Sequence, residues 1–264
     1  MIIQQGPVEV VMAVSWKDYS KVPYVLRSIE RNIDVVGVRI ITPQPDKLPS
    51  VGDTRLPVSV YADDEIISFD RSRFLVRPNW VMQQFLKVFQ DVTETDWFFA
   101  VDADVFFNRP VPLFEDGHPL FLLGLNQPTT ATDPYIEFSS AMLGVGRVYG
   151  HTFVGETTLY SKTLVKQMLI DCGYGNVYDF LDRAADVIGP GCFPADAEMY
   201  GSFVWKNYPG IYRTKKINSY MGGMYDRCYT EKDILERMAD IPPGTDVYTM
   251  HTWEWKGIQR DESS

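Results

Sequence analysis

Apolar positions along this chain switch between two spacings. Val8–Val14, V-E-V-V-M-A-V, is a short β-rich run. Trp16–Arg31 turns to helical spacing, with Val22, Val25, Leu26 and Ile29 on one stripe. Val35–Thr42 is extended again and stops at Pro43 and Pro45. Strand, helix and strand in so short a span predict a βαβ unit of a parallel sheet. Pro45–Pro57 is a turn-rich connection, and Val58–Tyr61 a brief strand. The acidic Asp63-Asp64-Glu65 after it reads as a solvated loop. Trp80–Gln90 predicts a strong helix with Val81, Phe85, Val88 and Phe89 as its buried stripe, and Gln84 and Lys87 share a face at i, i+3.

Trp97–Val101 is an apolar run of the kind that forms a buried strand. Asp102-Ala103-Asp104 interrupts it, and Val105-Phe106-Phe107 restores the apolar character. Leu120–Leu125 is a further strand, Asn126–Tyr135 a polar loop, and Phe138–Val148 a strand and turn. Thr152–Val154 suggests another strand. Ser161–Cys172 predicts a helix capped by Ser161, and Val177–Val187 a second helix broken by Gly189-Pro190-Gly191. Tyr200–Trp205 is helical, Lys206–Lys216 strand or loop, Met221–Asp226 a turn around Gly222-Gly223, and Glu231–Asp240 a surface helix. Val247–Met250 is a last strand that ends on His251. No repeat, low-complexity tract or linker interrupts this order, so residues 1–264 read as a single α/β domain.

Two carboxylates at the end of a buried strand are costly unless they reach solvent or meet a cation. Alternation along an extended chain points Asp102 and Asp104 to one side, with Ala103 facing away. In an open α/β sheet the carboxyl edge is where ligands sit. Two hard oxygen donors there suit Mg²⁺ or Mn²⁺ held together with substrate phosphates. The plain alternative is a solvated acidic turn. Ser15 and Trp16, at the carboxyl end of the first strand, either meet a nucleotide or pack as a helix cap. Arg71, Arg73 and Arg77 either hold a diphosphate or pair with the preceding acids.

The net charge of −10 weighs against nucleic acid or an anionic membrane as the default partner. Lys206, Arg213, Lys215, Lys216 and Arg227 still leave room for a local phosphate track. Cys172, Cys192 and Cys228 are an odd count without paired spacing and read as free thiols. There is no basic leader, and no stretch approaches the ~20 apolar residues of a membrane span. These features describe a soluble chain of the cytoplasm, bacterial or, for a viral protein, of the infected host cell.

Four pieces resemble nucleotide-sugar-dependent glycosyltransferases of the GT-A fold. These are the βαβ unit Val8–Thr42, the helix W-V-M-Q-Q-F-L-K, the strand F-F-A-V-D-A-D-V-F-F, and the late M-H-T-W-E-W-K-G. The helix is similar to the W-x-x-Q-Q-x-x-K helix of a bacterial and viral group of such enzymes, and the strand to the D-x-D strand of the fold. The last piece is similar to the H-x-x-G-x-x-K segment of glycogenin-like enzymes, with its glycine replaced. The resemblance implies a Rossmann-like, mixed but mostly parallel central sheet flanked by helices. Residues 1–108 would form the nucleotide-sugar half and 109–264 the acceptor half.

It further implies roles. Asp104 would bind the divalent metal, Mn²⁺ or Mg²⁺, and Asp102 the metal or the ribose. His251 would complete the coordination as a neutral imidazole. Ser15, Trp16, Arg77, Gln84 and Lys87 would meet the nucleotide or its phosphates, and Lys256 the diphosphate. Each cation also has a plain surface-charge reading. Asp196 and Glu198, at the start of a helix, are the candidates for a catalytic base, with helix capping as their alternative. The expected reaction moves a sugar from a nucleoside-diphosphate sugar to an acceptor hydroxyl. That hydroxyl belongs to a glycan or lipid-linked glycan, or to a hydroxymethylated DNA base if the chain is viral. Alternatives are a sugar-nucleotide nucleotidyltransferase, whose Gly-rich basic loop is replaced here by V-S-W-K-D-Y-S, and a non-catalytic nucleotide-sugar-binding module. Oligomeric state stays open.

Overall fold

The computed structural model describes residues 5–52, 54–124, 133–148, 150, 152–225 and 229–252. It opens with β1 (Val8–Ala13), a 3₁₀ turn over Trp16–Lys21, α1 (Val22–Asn32) and β2 (Gly37–Thr42). The expected single helix over Trp16–Arg31 is thus two pieces, because Pro23 in the first turn of α1 starts a new helix there. β3 (Val58–Ala62) follows, then α2 (Asp63–Ile66). The acids expected in a solvated loop therefore form a short helix, and Asp63 is buried against Arg71 at 2.7 Å. After α3 (Pro78–Phe89) come β4 (Trp97–Val101), β5 (Val105–Phe107), β6 (Phe114–Glu115) and β7 (His118–Gly124).

The second half differs more from expectation. Residues Asp133–Leu143 form α4 where the end of a polar loop (to Tyr135) and then strand and turn (from Phe138) were expected; its apolar residues 138, 142 and 143 fall on helical spacing and are buried. Thr152–Val154 lies outside any strand. The strand is β8 (Thr157–Ser161), buried along its whole length. α5 (Lys162–Asp171), α6 (Val177–Val187) and α7 (Asp196–Asn207) follow, and Ser161 Oγ caps α5 by accepting from the Leu164 amide at 3.3 Å. β9 (Arg213–Ile217) leads to β10 (Ser219–Tyr225), α8 (Glu231–Ala239) and β11 (Val247–Thr252). Gly222 belongs to β10 and not to a turn. A Cβ there would lie 1.6 Å from the Tyr248 hydroxyl, so the glycine serves close strand packing beside a register shift.

The main sheet has the order β3-β2-β1-β4-β8, parallel except for the antiparallel β4–β8 pair. Two small sheets, β10-β11-β5 and β6-β7-β9, each mix parallel and antiparallel pairs. Strand order reverses direction between β1 and β4, which makes that gap the switch point of the sheet. The core is continuous from Val10, Met12 and Ile40 through Phe98 and Phe99 to Phe138, Phe180 and Tyr200. Among the described residues no helix is long and apolar enough to cross a membrane. Cys172 and Cys192 are free thiols, and burial pushes Cys172 up to about 11. Cys228, Arg227, Lys256 and most of the Asn126–Tyr135 loop (residues 126–132) lie outside the described residues.

Candidate functional site

The switch point gathers charged side chains from six parts of the chain. β4 ends at Val101, and Asp102 and Asp104 follow at its carboxyl edge, with Ala103 buried between them. The Asp102 amide donates to Glu156 O at 3.0 Å and the Met250 amide to Asp104 O at 2.9 Å. The acidic turn is thereby tied to the segment before β8 on one side and to β11 on the other.

β11 pairs antiparallel with β5, the strand that leaves Asp104, in the register Thr249↔Val105. This register delivers His251 to Asp104, with Nδ1 2.9 Å from Oδ2. The other ring nitrogen, Nε2, lies 3.5 Å from Glu156 Oε1. Burial opposes charge on the ring, but the hydrogen bonds and charges of Asp104 and Glu156 outweigh it and push His251 up to about 10. The ring thus lies between two carboxylates that favour its protonated form, whereas the resemblance implied a neutral imidazole beside a metal ion.

Lys87 projects from α3 into the same place. It is 3% exposed, 2.9 Å from Asp102 Oδ1 and 3.1 Å from Asp196 Oδ1. Burial alone would lower the lysine; Asp102 and Asp196 more than offset that and raise it. Asp102 is raised to about 6 by lost hydration, with the charges of Asp104 and Asp196 adding and Lys87 opposing. Its side chain is nevertheless 36% exposed, so one face of the group is open. Asp196 also accepts from the Tyr160 hydroxyl at 2.8 Å, and its amide donates to Gln84 Oε1 at 3.2 Å. Burial and the charge of Asp196 hold Tyr160 well above the ordinary tyrosine value. Gln84 and Lys87, neighbours on one face of α3, therefore both work on the start of α7.

Glu198 is elsewhere. It is 2% exposed and accepts from the Thr152 hydroxyl at 2.6 Å, the Phe153 amide at 2.8 Å and the Ser202 hydroxyl at 2.7 Å. Oε2 fastens residues 152–153 to α7 and Oε1 stays on the helix with Ser202, so Glu198 faces away from the Lys87–Asp102 group. Ser15 and the 56% exposed Trp16 follow the carboxyl end of β1, one of the two strands that flank the switch point. Arg71 pairs with Asp63, and Arg73 with Asp182. Arg77 takes a left-handed backbone (φ 47°) and lays its guanidinium 4.3 Å from the Trp80 ring centroid. Arg213 and Lys215 pair with Asp116 and Glu115 at 2.7 and 2.8 Å, which quenches much of the basic track.

Three residues at this centre carried no sequence signal. Asp18 and Lys21 belong to the 3₁₀ turn after β1, and burial and the charge of Asp104 raise Asp18 against the pull of Lys21. Glu156 precedes a strand whose uniform burial gives no alternation to read. Asp18, Asp102, Asp104, Glu156 and Asp196 together outnumber Lys21, Lys87 and His251. The centre is therefore short of positive charge even with the ring protonated. Among the described residues no three of His, Cys, Asp or Glu are arranged as a ready metal cage.

The fold and this centre define an α/β protein with an acidic cluster at the switch point of a mostly parallel sheet. Residues 40–234 match DUF6492, a family of unknown function, and with most of its length inside that match the chain belongs to this family. No curated protein matches it.

Proposed function

We propose that this protein is a metal-dependent glycosyltransferase of the GT-A type, moving a sugar from a nucleoside-diphosphate sugar to an acceptor hydroxyl. The observation that carries the reading is the meeting of Asp104, at the end of β4, with His251, 147 residues later, 2.9 Å apart at the switch point. Hard carboxylate oxygens with one imidazole suit Mn²⁺ or Mg²⁺ in kind, and the surplus of acids suits a divalent charge. Asp104 and His251 would hold the ion, with Asp102 beside them, and binding would displace the proton they share. The ion would supply electrostatic stabilisation of the charge that builds on the departing diphosphate.

The chain's own groups complete the site. Lys87 fixes Asp102 and neutralises part of the acid surplus. Asp196, held by Tyr160 and Lys87, is the member of the expected acid pair that faces the centre. Trp16 and Ser15 offer a stacking face and a hydroxyl to the nucleotide. The pairing of Arg213 and Lys215 with acids favours a glycan acceptor over DNA.

The test is a panel of nucleoside-diphosphate sugars, read by released nucleoside diphosphate with and without Mn²⁺ or Mg²⁺. One donor should be turned over only with metal, and Asp104→Ala should lower the rate by about 10²–10³-fold. Failure to bind or cleave any donor overturns the reading.

A further inference from the structure

Lys21 is the enclosed charge that this reading leaves without a task. Its side chain is 0% exposed. Nζ donates to Asp18 Oδ1 at 2.7 Å, to Met250 O at 2.6 Å and to Thr252 Oγ1 at 2.8 Å, and it stands 4.8 Å from the Tyr229 ring centroid. An ammonium has three N–H bonds, and here each has an acceptor. Enclosing a charge is costly, and an apolar chain of similar size would pack such a place at no greater cost. What an apolar chain could not do is grip the carbonyl and the hydroxyl on either side of His251 in sequence. The same ammonium holds Asp18, whose carboxylate is close enough to Asp104 for their charges to repel. The turn after the first strand and the end of the last strand are thus locked together at one atom.

We infer that Lys21 is a positioning residue, which fixes the His251 ring and the Asp18 carboxylate on two sides of Asp104 and so sets the geometry of the cation and diphosphate site. The inference rests on the function proposed above, but its structural half can be read without any substrate. Protein carrying isotope-labelled histidine reports the His251 ring by NMR, with assignment through a His251→Asn variant. In Lys21→Met, and in Asp18→Asn/Lys21→Met, which removes the charge pair together and protects the fold, the ring signals should move toward those of a solvent-averaged imidazole. Lys21→Arg should restore part of the original signature. With the donor found by the panel, kcat should fall by about tenfold or more in both methionine variants while the donor KM changes by less than about twofold. Ring signals in the double variant that coincide with those of the unaltered protein overturn the inference. A panel without turnover would instead sink the enzymatic reading and leave the ring measurement to decide the clamp.

Discussion

The main sheet carries a buried ionic cluster at each end, and the two are built differently. At the amino end, Glu9 on β1 is 2% exposed. It accepts from Arg39 Nε at 2.7 Å, from the Thr95 amide at 3.0 Å, and from the Glu94 amide. Arg39 continues to Ser59 Oγ at 2.8 Å. One enclosed acid meets one base, and both of its oxygens are occupied. At the carboxyl end acids exceed cations, and the side chains of Asp102 and Glu156 keep about a third of their surface open, 36% and 29%. An ion pair that serves the fold closes on itself, because any residual charge would raise the cost of burial. A cluster left open with a surplus of acids has the perturbed, partly exposed groups that mark a candidate functional site.

The sharpest way to separate the two ends is to remove a cation from the open one. Lys87→Met leaves Asp102 and Asp196 facing each other without their bridge. Donor turnover should fall by about a hundredfold or more, and stability by about 3–5 kcal/mol, measured by steady-state kinetics and urea unfolding. At the closed end, Glu9→Gln should cost about 1–3 kcal/mol and leave turnover as it was. Burial tends to raise Glu9, but the Thr95 amide, Arg39 and the Glu94 amide hold it below its ordinary value of 4.5. A group lowered on folding stabilises above its unfolded value and loses that contribution as pH falls through the folded one. The gap between Glu9→Gln and the unaltered protein should therefore be full above pH 4.5 and shrink below it in unfolding curves. The smallest effect belongs to Glu94→Ala, whose side chain is 86% exposed and 3.3 Å from Arg39; it should change stability by less than about 0.5 kcal/mol. Equal losses of turnover in Glu9→Gln and Lys87→Met would abolish the distinction.

Much of the scaffold was legible because its elements carry strong periodic signals. β1, β2, β4, α3, α5 and α6 follow directly from apolar runs, helical stripes and caps such as Ser161. The meeting of Asp104 with His251 was reachable only through the resemblance that sets the D-x-D strand beside the late histidine motif. β8 was not legible, because T-T-L-Y-S is buried on both faces and shows no alternation. α4 was obscured by its serines and by Gly144 and Gly146 beyond it. Gly222-Gly223 looked like a turn because a glycine that admits a neighbouring tyrosine ring is indistinguishable in sequence from one that bends the chain. Lys21 and Asp18 read as ordinary polar residues of a helical turn, since only the return of β11 encloses them. Glu198 looked equivalent to Asp196 two residues away, yet the two point to different neighbours. Spacing gives a side chain's direction only once the packing of its helix is known.

The antiparallel register of β11 on β5 has a consequence for biosynthesis. The acids of the β4 turn emerge from the ribosome well before the strand that brings the imidazole, and a slip of one residue in the pairing would turn His251 to the opposite face. A nascent chain completed only as far as Asp240 would own every acid of the centre and no ring to set against them. The centre is therefore complete only once β11 has paired with β5.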